Sequence, residues 1–440
     1  MTQRPKIIVL DDDPTGSQTV HSCLLLMDWE LETLRQGLAD TSPIFFVLTN
    51  TRALTPEAAA AVTRSVCRNL KQAIAAEGIQ DFLVVSRSDS TLRGHYPLET
   101  DIIAAELGPF DAHFLVPAFF EGGRITRDSI HYLIVNDVPT PVHETEFAKD
   151  SVFGYQSSFL PSYVAEKTQG RIAADQVERL QLSDLKSGSL DRLLQFQDNQ
   201  CVVVDAVEPA DLAQFAQDLW RAVAQGKRFL FRSAASLLTA LAQLPPQPVP
   251  AQQMSQYVRS GKPGAFIVGS HVQKTTEQLS HLLEQPHIVG VEVPVRHLLA
   301  SDNAAAELLE QTLSRIDTVH RQGKTPVVFT SRQELQFDNA ETRLDFGVKV
   351  SALLMNIVQG LPSDLGYLVS KGGITSNDVL STGLHLKTAR LLGQIIPGCS
   401  VVCTSAAHPA FPNLPVVLFP GNVGDRESLT AVYNHFTTSA

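Results

Sequence analysis

Short, continuous apolar runs alternate with longer helix-period segments from one end of the chain to the other. In the first half, Lys6–Leu10, Ile44–Leu48, Phe82–Ser86, His113–Val116, Cys201–Val204 and Phe229–Phe231 have the length and hydrophobicity of buried strands. Pro56–Glu77 and Pro209–Ala224 carry proline in the first turn and Ala-rich interiors, which predicts helices. Continuous apolar strands alternating with helices imply a mainly parallel sheet covered on both faces. The alternation restarts in the second half, where Ala265–Val268, Ile288–Val291, Pro326–Thr330, Gly366–Ser370 and Val416–Phe419 are strand-like. Ala304–Gln322 and Gly347–Gln359 are helix-like there. Between the two series lies QLPPQPVPAQQ, residues 243–253, with four prolines and no charge, which suits neither a helix nor a central strand. The expectation is an α/β protein of two α/β domains with mainly parallel sheets, residues 1–243 and 254–440, joined by a Pro-rich linker at 244–253. A length of 440 residues, too great for one ordinary core, agrees with this division.

Composition narrows the partners. The chain is 44% hydrophobic and 18% charged, as folded globular proteins are. Its formal charge of -11, with no basic run, argues against nucleic acid or an anionic membrane as a main partner. An anionic ligand must then be met by local Arg, Lys and backbone N–H groups. No stretch approaches the ~20 apolar residues that span a bilayer, and the opening MTQRPKIIVLDDDPTG does not resemble a signal peptide. The five cysteines are scattered and odd in number, as expected of reduced core residues in a cytoplasmic protein. The histidines show no paired metal spacing.

The candidate chemistry lies in loops that follow predicted strands, where parallel sheets bind ligands. Asp11-Asp12-Asp13-Pro14-Thr15-Gly16-Ser17 sets three carboxylates side by side, which need a cation or hydroxyl donors nearby. They suit substrate-hydroxyl binding or general-base work, although the same residues also favour a solvated turn. In Ser86–His95, Arg87 and Arg93 lie among hydroxyl residues and make a carboxylate or phosphate cradle. Asp89 could equally be a surface partner of either arginine. Pro117–Arg124 adds a glycine pair and Arg124. In the second half, Ser370–Asp378 reads as strand, glycine turn and helix start, a recipe for holding phosphates that is not a Walker A loop. Gly269-Ser270-His271 and Pro420–Gly424 are two further glycine turns after strands. Asp378 is a candidate Mg²⁺ ligand or a complement to the helix dipole.

At these segments the chain resembles the four-carbon acid sugar kinase family. The matching stretches are Asp12–Gly16, Asp89–Gly94, Pro117–Arg124, Thr145–Asp150, Val204–Ala206, Gly269–Ser270, Gly372–Ser376 and Pro420–Gly424, in family order and over nearly the whole length. The resemblance implies a sugar-acid-binding N-terminal domain, an ATP-binding C-terminal domain and an active site in the cleft between them. ATP is expected at Ser270, at Gly372, Gly373, Ile374, Thr375 and Ser376, and at Gly421 and Asn422, with Mg²⁺ bridging the phosphates. Asp12 and Asp89 are the catalytic candidates. Asp11, Thr15, Arg87, Ser90, Arg93 and Arg124 are expected to bind the substrate, the arginines taking its carboxylate. The family phosphorylates the terminal hydroxyl of threonate, erythronate or 3-oxo-tetronate. The chain departs from the family pattern at Pro14, His271 and Asn377-Asp378; the first-loop departure, which should face the sugar, bears on substrate identity, and a branched or five-carbon relative such as 3-oxo-isoapionate is a further expectation. Two rival readings stand beside this one. Asp11 and Asp13 fit the DxDxT pattern of haloacid-dehalogenase-like phosphohydrolases, and a non-catalytic nucleotide-binding regulator would bind ADP or ATP with no acceptor among sugar acids. A homodimer is compatible with all three.

Overall fold

The computed structural model describes residues 5–300, 303–332, 335, 337, 339–421 and 423–438. Chain contacts divide at Pro245 and Pro246. The first unit is built on strands β1 (Lys6–Asp11), β2 (Leu24–Leu26), β3 (Ile44–Leu48), β4 (Phe82–Arg87), β5 (Ala112–Val116), β6 (Arg124–Arg127), β7 (Ile130–Val135), β8 (Val138–Pro141), β9 (Glu178–Leu180), β10 (Gln200–Val204) and β11 (Phe229–Ser233). Within it the order β2-β3-β1-β4-β11-β5-β10-β9 forms a parallel sheet, and β6, β7 and β8 form a small antiparallel one. Its helices are α1 (Leu31–Ala39), α2 (Pro56–Glu77), α3 (Leu98–Leu107), α4 (Leu160–Lys167), α5 (Leu182–Ser187), α6 (Leu190–Gln195), α7 (Pro209–Val223) and α8 (Ala235–Ala242).

Helix α2 runs over the predicted residues because its signals are local: Thr55 caps it through Ala58 N and Pro56 occupies its first turn. Its buried face, including Val66, Leu70 and Ala73, packs on Ile8, Leu10, Phe45, Val47, Val84 and Leu230 of the sheet. Each such large side chain contributes about 1.5–3 kcal/mol on burial. Register then aligns distant segments. Asp11 pairs with Leu48 and Arg87, and Ser233 pairs with Arg87 and Val116, so five strands end in one row.

The second unit contains β12 (Ala265–Val268), β13 (Ile288–Val293), β14 (Thr325–Thr330), β15 (Leu368–Lys371), β16 (Thr388–Ile396), β17 (Cys399–Cys403) and β18 (Pro415–Phe419). They order as β13-β14-β12-β15-β18-β17-β16, parallel from β13 to β18 and antiparallel thereafter. Helices α9 (Gln273–Leu283), α10 (Ala304–Arg321), α11 (Ala340–Gln359), α12 (Gly373–Asp378) and α13 (Ser428–Thr437) complete it. Its core joins Phe266, Val268, Val369, Val417 and Phe419 to Leu279, Leu282, Val432 and Phe436. Val268 pairs with Lys371, and Lys371 with Phe419, so the turns at Gly269, Gly372 and Pro420 all leave the sheet at one level.

The Pro-rich segment is fastened at its second end. The Gln247 carboxamide brackets the Gln394 backbone, accepting from its N at 2.8 Å and donating to its O at 3.0 Å. Ala251–Tyr257 forms a 3₁₀ helix, with Met254 wholly buried. Among the described residues, no helix is long and apolar enough to cross a membrane.

Candidate active site

The strand ends of the first unit converge on Arg52, a residue that the loop motifs do not single out. It lies in the turn after β3 and is held there because Arg52 N donates to Asp12 O at 3.3 Å. Its guanidinium forms an ion pair with Asp12, through Nη2 to Oδ1 and through Nε to Oδ2 at 3.2 Å. It also meets Asp13 Oδ2 at 3.1 Å and approaches Asp89 Oδ1 at 3.9 Å. Asp12, Asp13 and Asp89 therefore share one cation. Burial by itself would raise Asp13, but Arg52, Arg87 and the hydrogen bonds from Thr15 hold it below the usual carboxylate range. Thr15 is turned to Asp13, to which both its backbone N and its hydroxyl donate.

Asp12 is 1% exposed and also accepts from Ser88 Oγ at 3.1 Å. Asp89 accepts from Arg93 Nε at 2.9 Å and from Thr91. Burial pushes Asp89 up, yet Arg52 and Arg93 outweigh it and leave the group well below the usual range. Arg93 continues to Asp150 at 3.7 Å and lies over the Phe147 ring. Asp11 is different. Its carboxylate is buried beside Arg87 at 3.6 Å, and its Oδ2 has no hydrogen-bond partner. Burial raises it to about 8, with Arg87 offsetting only part of the effect. Gly16 packs so closely that a Cβ there would fall 2.1 Å from both Asp11 oxygens.

Arg124 has no carboxylate within ion-pair distance among the described residues. Its Nη1 donates to Gly122 O, its buried Nε has no partner, and burial lowers its pKa. Asp89 and Arg93 are close enough to act on it electrostatically. Ser90 is buried, and its carbonyl accepts from His131 Nε2 at 2.7 Å. Beneath the cluster Arg232, also absent from the motifs, donates to Ser86 Oγ at 2.7 Å and to Glu99 Oε2 at 2.5 Å. The structure thus brings Asp11, Asp12, Thr15, Arg87, Asp89, Arg93 and Arg124 into one neighbourhood and adds Arg52 and Arg232. Their position after or within apolar runs is the one sequence feature they share with the motif residues.

In the second unit a cavity of about 400 Å³ opens beside the three glycine turns. Ser270, Gly372, Gly373, Ile374, Thr375 and Gly421 line it, as does Asp378. Ser376 does not: it is wholly buried and exchanges hydrogen bonds with Ser370. Asn422 lies outside the described residues. Opposite the turns stands an apolar wall that includes Val295, Phe337, Phe346, Val350 and Met355. Phe337 and Phe346 contact each other at 5.1 Å between centroids. Gly372 has φ +123°, and a Cβ on it would come 3.2 Å from Ser270 Cβ. Glycine is needed here both for its backbone and for its size. The α-helical turn that follows the glycines is short and passes into a π-helical turn at Val379–Gly383.

Asp378 accepts from Ser351 Oγ and from Asn377 Nδ2 at 3.2 Å, and it is the one carboxylate among the described lining residues. No cluster of three or more His, Cys, Asp or Glu is placed to bind a metal among the described residues. A single carboxylate beside a glycine-rimmed cavity still fits Mg²⁺, which takes few protein ligands and completes its shell with ligand oxygens and water.

Two family profiles match the chain: a sugar-binding N-terminal domain over residues 7–241 and a nucleotide-binding C-terminal domain over residues 265–429. The D-threonate kinase of Bordetella bronchiseptica is 28% identical over 225 residues, covering 48% of this chain and 49% of that one. The D-erythronate kinase of Heliobacterium modesticaldum is 28% identical over 169 residues, covering 37% of this chain and 36% of that one. The matches span about half and about a third of those relatives. Two solved structures are similar throughout. One is a Salmonella typhimurium LT2 protein solved under the label of a tRNA synthase, with TM-score 0.73, 19% identity and coverage of 99% of this chain and 100% of that one. The other is from Haemophilus influenzae, with TM-score 0.64, 17% identity and coverage of 98% and 100%. At such identities the likeness bears on the fold alone.

Proposed function

Because the chain belongs to the four-carbon acid sugar kinase family, we propose that it transfers the terminal phosphoryl group of ATP to a hydroxyl of a small sugar acid. The observation that carries this reading is the cavity of the second unit, which joins three glycine turns to an apolar wall. Glycine turns let backbone approach phosphates closely, and apolar and aromatic side chains suit a nucleobase. The Asp and Arg cluster of the first unit supports the acceptor half. A sugar acid needs one cation for its carboxylate and fixed acceptors for its hydroxyls. Arg124, short of acceptors, suits the carboxylate, with Arg93 beside it.

Phosphoryl transfer asks chiefly for alignment, charge neutralisation and a proton acceptor. Asp89 is held strongly ionised by Arg52 and Arg93 and is a weak acceptor, so we assign it to anchoring those arginines. Asp12 orients the attacking hydroxyl and takes its proton, with Arg52 and Ser88 fixing the carboxylate. In the second unit, the N–H groups of Gly373, Ile374, Thr375 and Gly421 and the hydroxyls of Ser270 and Thr375 hold the phosphates. Asp378 would hold Mg²⁺, which supplies neutralisation of phosphate charge.

The phosphohydrolase reading needs Asp11 as an ionised, accessible nucleophile. A buried carboxyl raised to about 8 and covered by Gly16 does not suit that role. The acceptor is proposed to be a four-carbon acid such as threonate, erythronate or 3-oxo-tetronate, with 3-oxo-isoapionate as the branched case. An ATP-coupled screen of four- and five-carbon sugar acids and their 3-oxo forms tests the proposal. ATP consumption that depends on one of these acids is expected. Tight ADP binding with no acceptor found would favour a regulator, and phosphate release from a sugar phosphate without ATP would favour a hydrolase.

A further inference from the structure

Lys371 ends β15, is wholly buried and takes no part in the mechanism above. Its Nζ donates to Pro420 O at 2.6 Å and to Gly421 O at 3.1 Å, and lies 4.1 Å from the centroid of the Phe419 ring. No carboxylate pairs with it among the described residues. The ionisable groups that face it are Cys399 on β17 and Lys274 on α9. Burial is the main influence and brings the ammonium down to about 7; Cys399 opposes this and Lys274 adds to it. The Cys399 thiol is itself pushed up by burial, stays neutral and supplies no counter-charge.

Arg332 repeats the pattern on the other side of the Ser270 turn. It donates through Nη2 to Ser270 O at 2.7 Å and to Thr276 Oγ1 at 3.0 Å, while its buried Nη1 has no partner. A buried ammonium without a counter-ion is costly, and so is a buried guanidinium N–H without an acceptor. Both hold main-chain turns that line the cavity, so the missing negative charge belongs to what enters it. The hydrogen bonds also explain how a buried ammonium acts at a distance. Ser270 N donates to Lys371 O at 3.4 Å, and Gly372 N donates to Phe419 O at 2.8 Å. With Pro420 O and Gly421 O on the ammonium, the carbonyls of this corner are occupied internally and are kept from facing an incoming anion.

We propose that Lys371 is a positioning residue for the nucleotide phosphates, pinning the Pro420–Gly421 turn with its carbonyls inward beneath the incoming phosphate charge. This rests on the nucleotide reading of the cavity given above. Below pH 7 the ammonium is already charged, and affinity does not change through it. Above pH 7 the ligand-free chain has lost the proton, and binding must take one up from solvent. Affinity for ADP then falls by about tenfold per pH unit until the pKa of the bound state is reached.

The test is calorimetric titration of the full chain with ADP and with adenosine, between about pH 6.5 and 8.5, in two buffers of unlike ionisation enthalpy. ADP is expected to bind with uptake of close to one proton at the alkaline end and to weaken as pH rises. Adenosine, which lacks phosphates, shows neither effect. K371M is expected to bind ADP at least about tenfold more weakly and independently of pH, with adenosine binding unchanged as the check on folding. Nitrogen-15 lysine NMR of the unmodified chain needs no variant, and the Lys371 Nζ titration should move to higher pH when ADP is added. ADP binding that involves no proton and no pH dependence in the unmodified chain overturns the role of Lys371 and leaves the nucleotide site standing. Failure of both ADP and adenosine to bind overturns the nucleotide reading itself.

Discussion

At the strand-end cluster of residues 1–245 carboxylates are met by arginines: Arg52 serves Asp12, Asp13 and Asp89, and Arg232 closes on Glu99 at 2.5 Å, with Arg124 left to a carbonyl. Around the cavity of residues 246–440 the buried Lys371 and the half-buried Arg332 donate to carbonyls and a hydroxyl, with no carboxylate partner among the described residues. The contrast follows from the ligands proposed for them. A sugar acid is small, carries one charge and depends on directional hydroxyl bonds, so its site must be rigid, with its ions compensated in advance. A nucleotide brings several negative charges, and a site holding positive charge in reserve gains by their arrival. A polar lattice and a glycine-rimmed apolar slot are two solutions to anion binding.

Removing the shared cation is the most severe way to break this comparison. Arg52→Ala strands Asp12 and Asp13, leaves Asp89 to Arg93 alone, and is expected to cost roughly 3–5 kcal/mol of stability and to abolish measurable turnover. Arg52→Lys, a point charge without the fork, should recover stability more than activity. Melting curves and the coupled assay check both, and near-normal turnover in Arg52→Ala would show that the lattice is dispensable. Asp12→Asn keeps the shape and removes the proposed base. Its kcat is expected to fall ~10²–10⁴-fold with little change in the KM for ATP.

In the second unit, Gly372→Ala forces a φ of +123° on a residue with a Cβ and crowds Ser270. A penalty of about 1–3 kcal/mol should weaken ADP binding by about 5- to 150-fold, read by calorimetry. Phe346→Ala removes one ring of the apolar wall and its contact with Phe337. The KM for ATP should rise by about 2- to 12-fold, matching an aromatic pair of about 0.5–1.5 kcal/mol, while kcat is retained.

A separate test concerns pH. Asp11 titrates near 8 in the folded chain against an ordinary value of 3.8. The folded state therefore binds the extra proton between these values, and stability that is fully present below the lower one is lost as pH rises through the upper one. Asp11→Asn, neutral throughout, should flatten the melting temperature over that window. An unchanged slope would show that Asp11 is ionised in the fold.

Local patterning determined a good deal of this molecule. The bounds of β3, β12 and α2 follow from unbroken apolar runs, a capping Thr55 and Pro56, and each of those signals acts within a few residues. The α/β class and the glycine turns at Gly269, Gly372 and Gly421 were legible for the same reason. The small sheet β6–β8 was not, since its strands mix exposed and half-buried positions and β8 contains two prolines. Nor was the antiparallel pair β16 and β17, since β16 alternates half-buried and buried positions and so departs from the continuous runs elsewhere. Tertiary structure alone decided the partners. Arg52 meets Asp12 from 40 positions away, and Arg232 meets Glu99 from 133. Lys371 stands in a recognised loop but shows no role until β15 and β18 align it with the Pro420–Gly421 carbonyls. Register between strands distant in sequence selects which charges touch, and no local pattern encodes that selection.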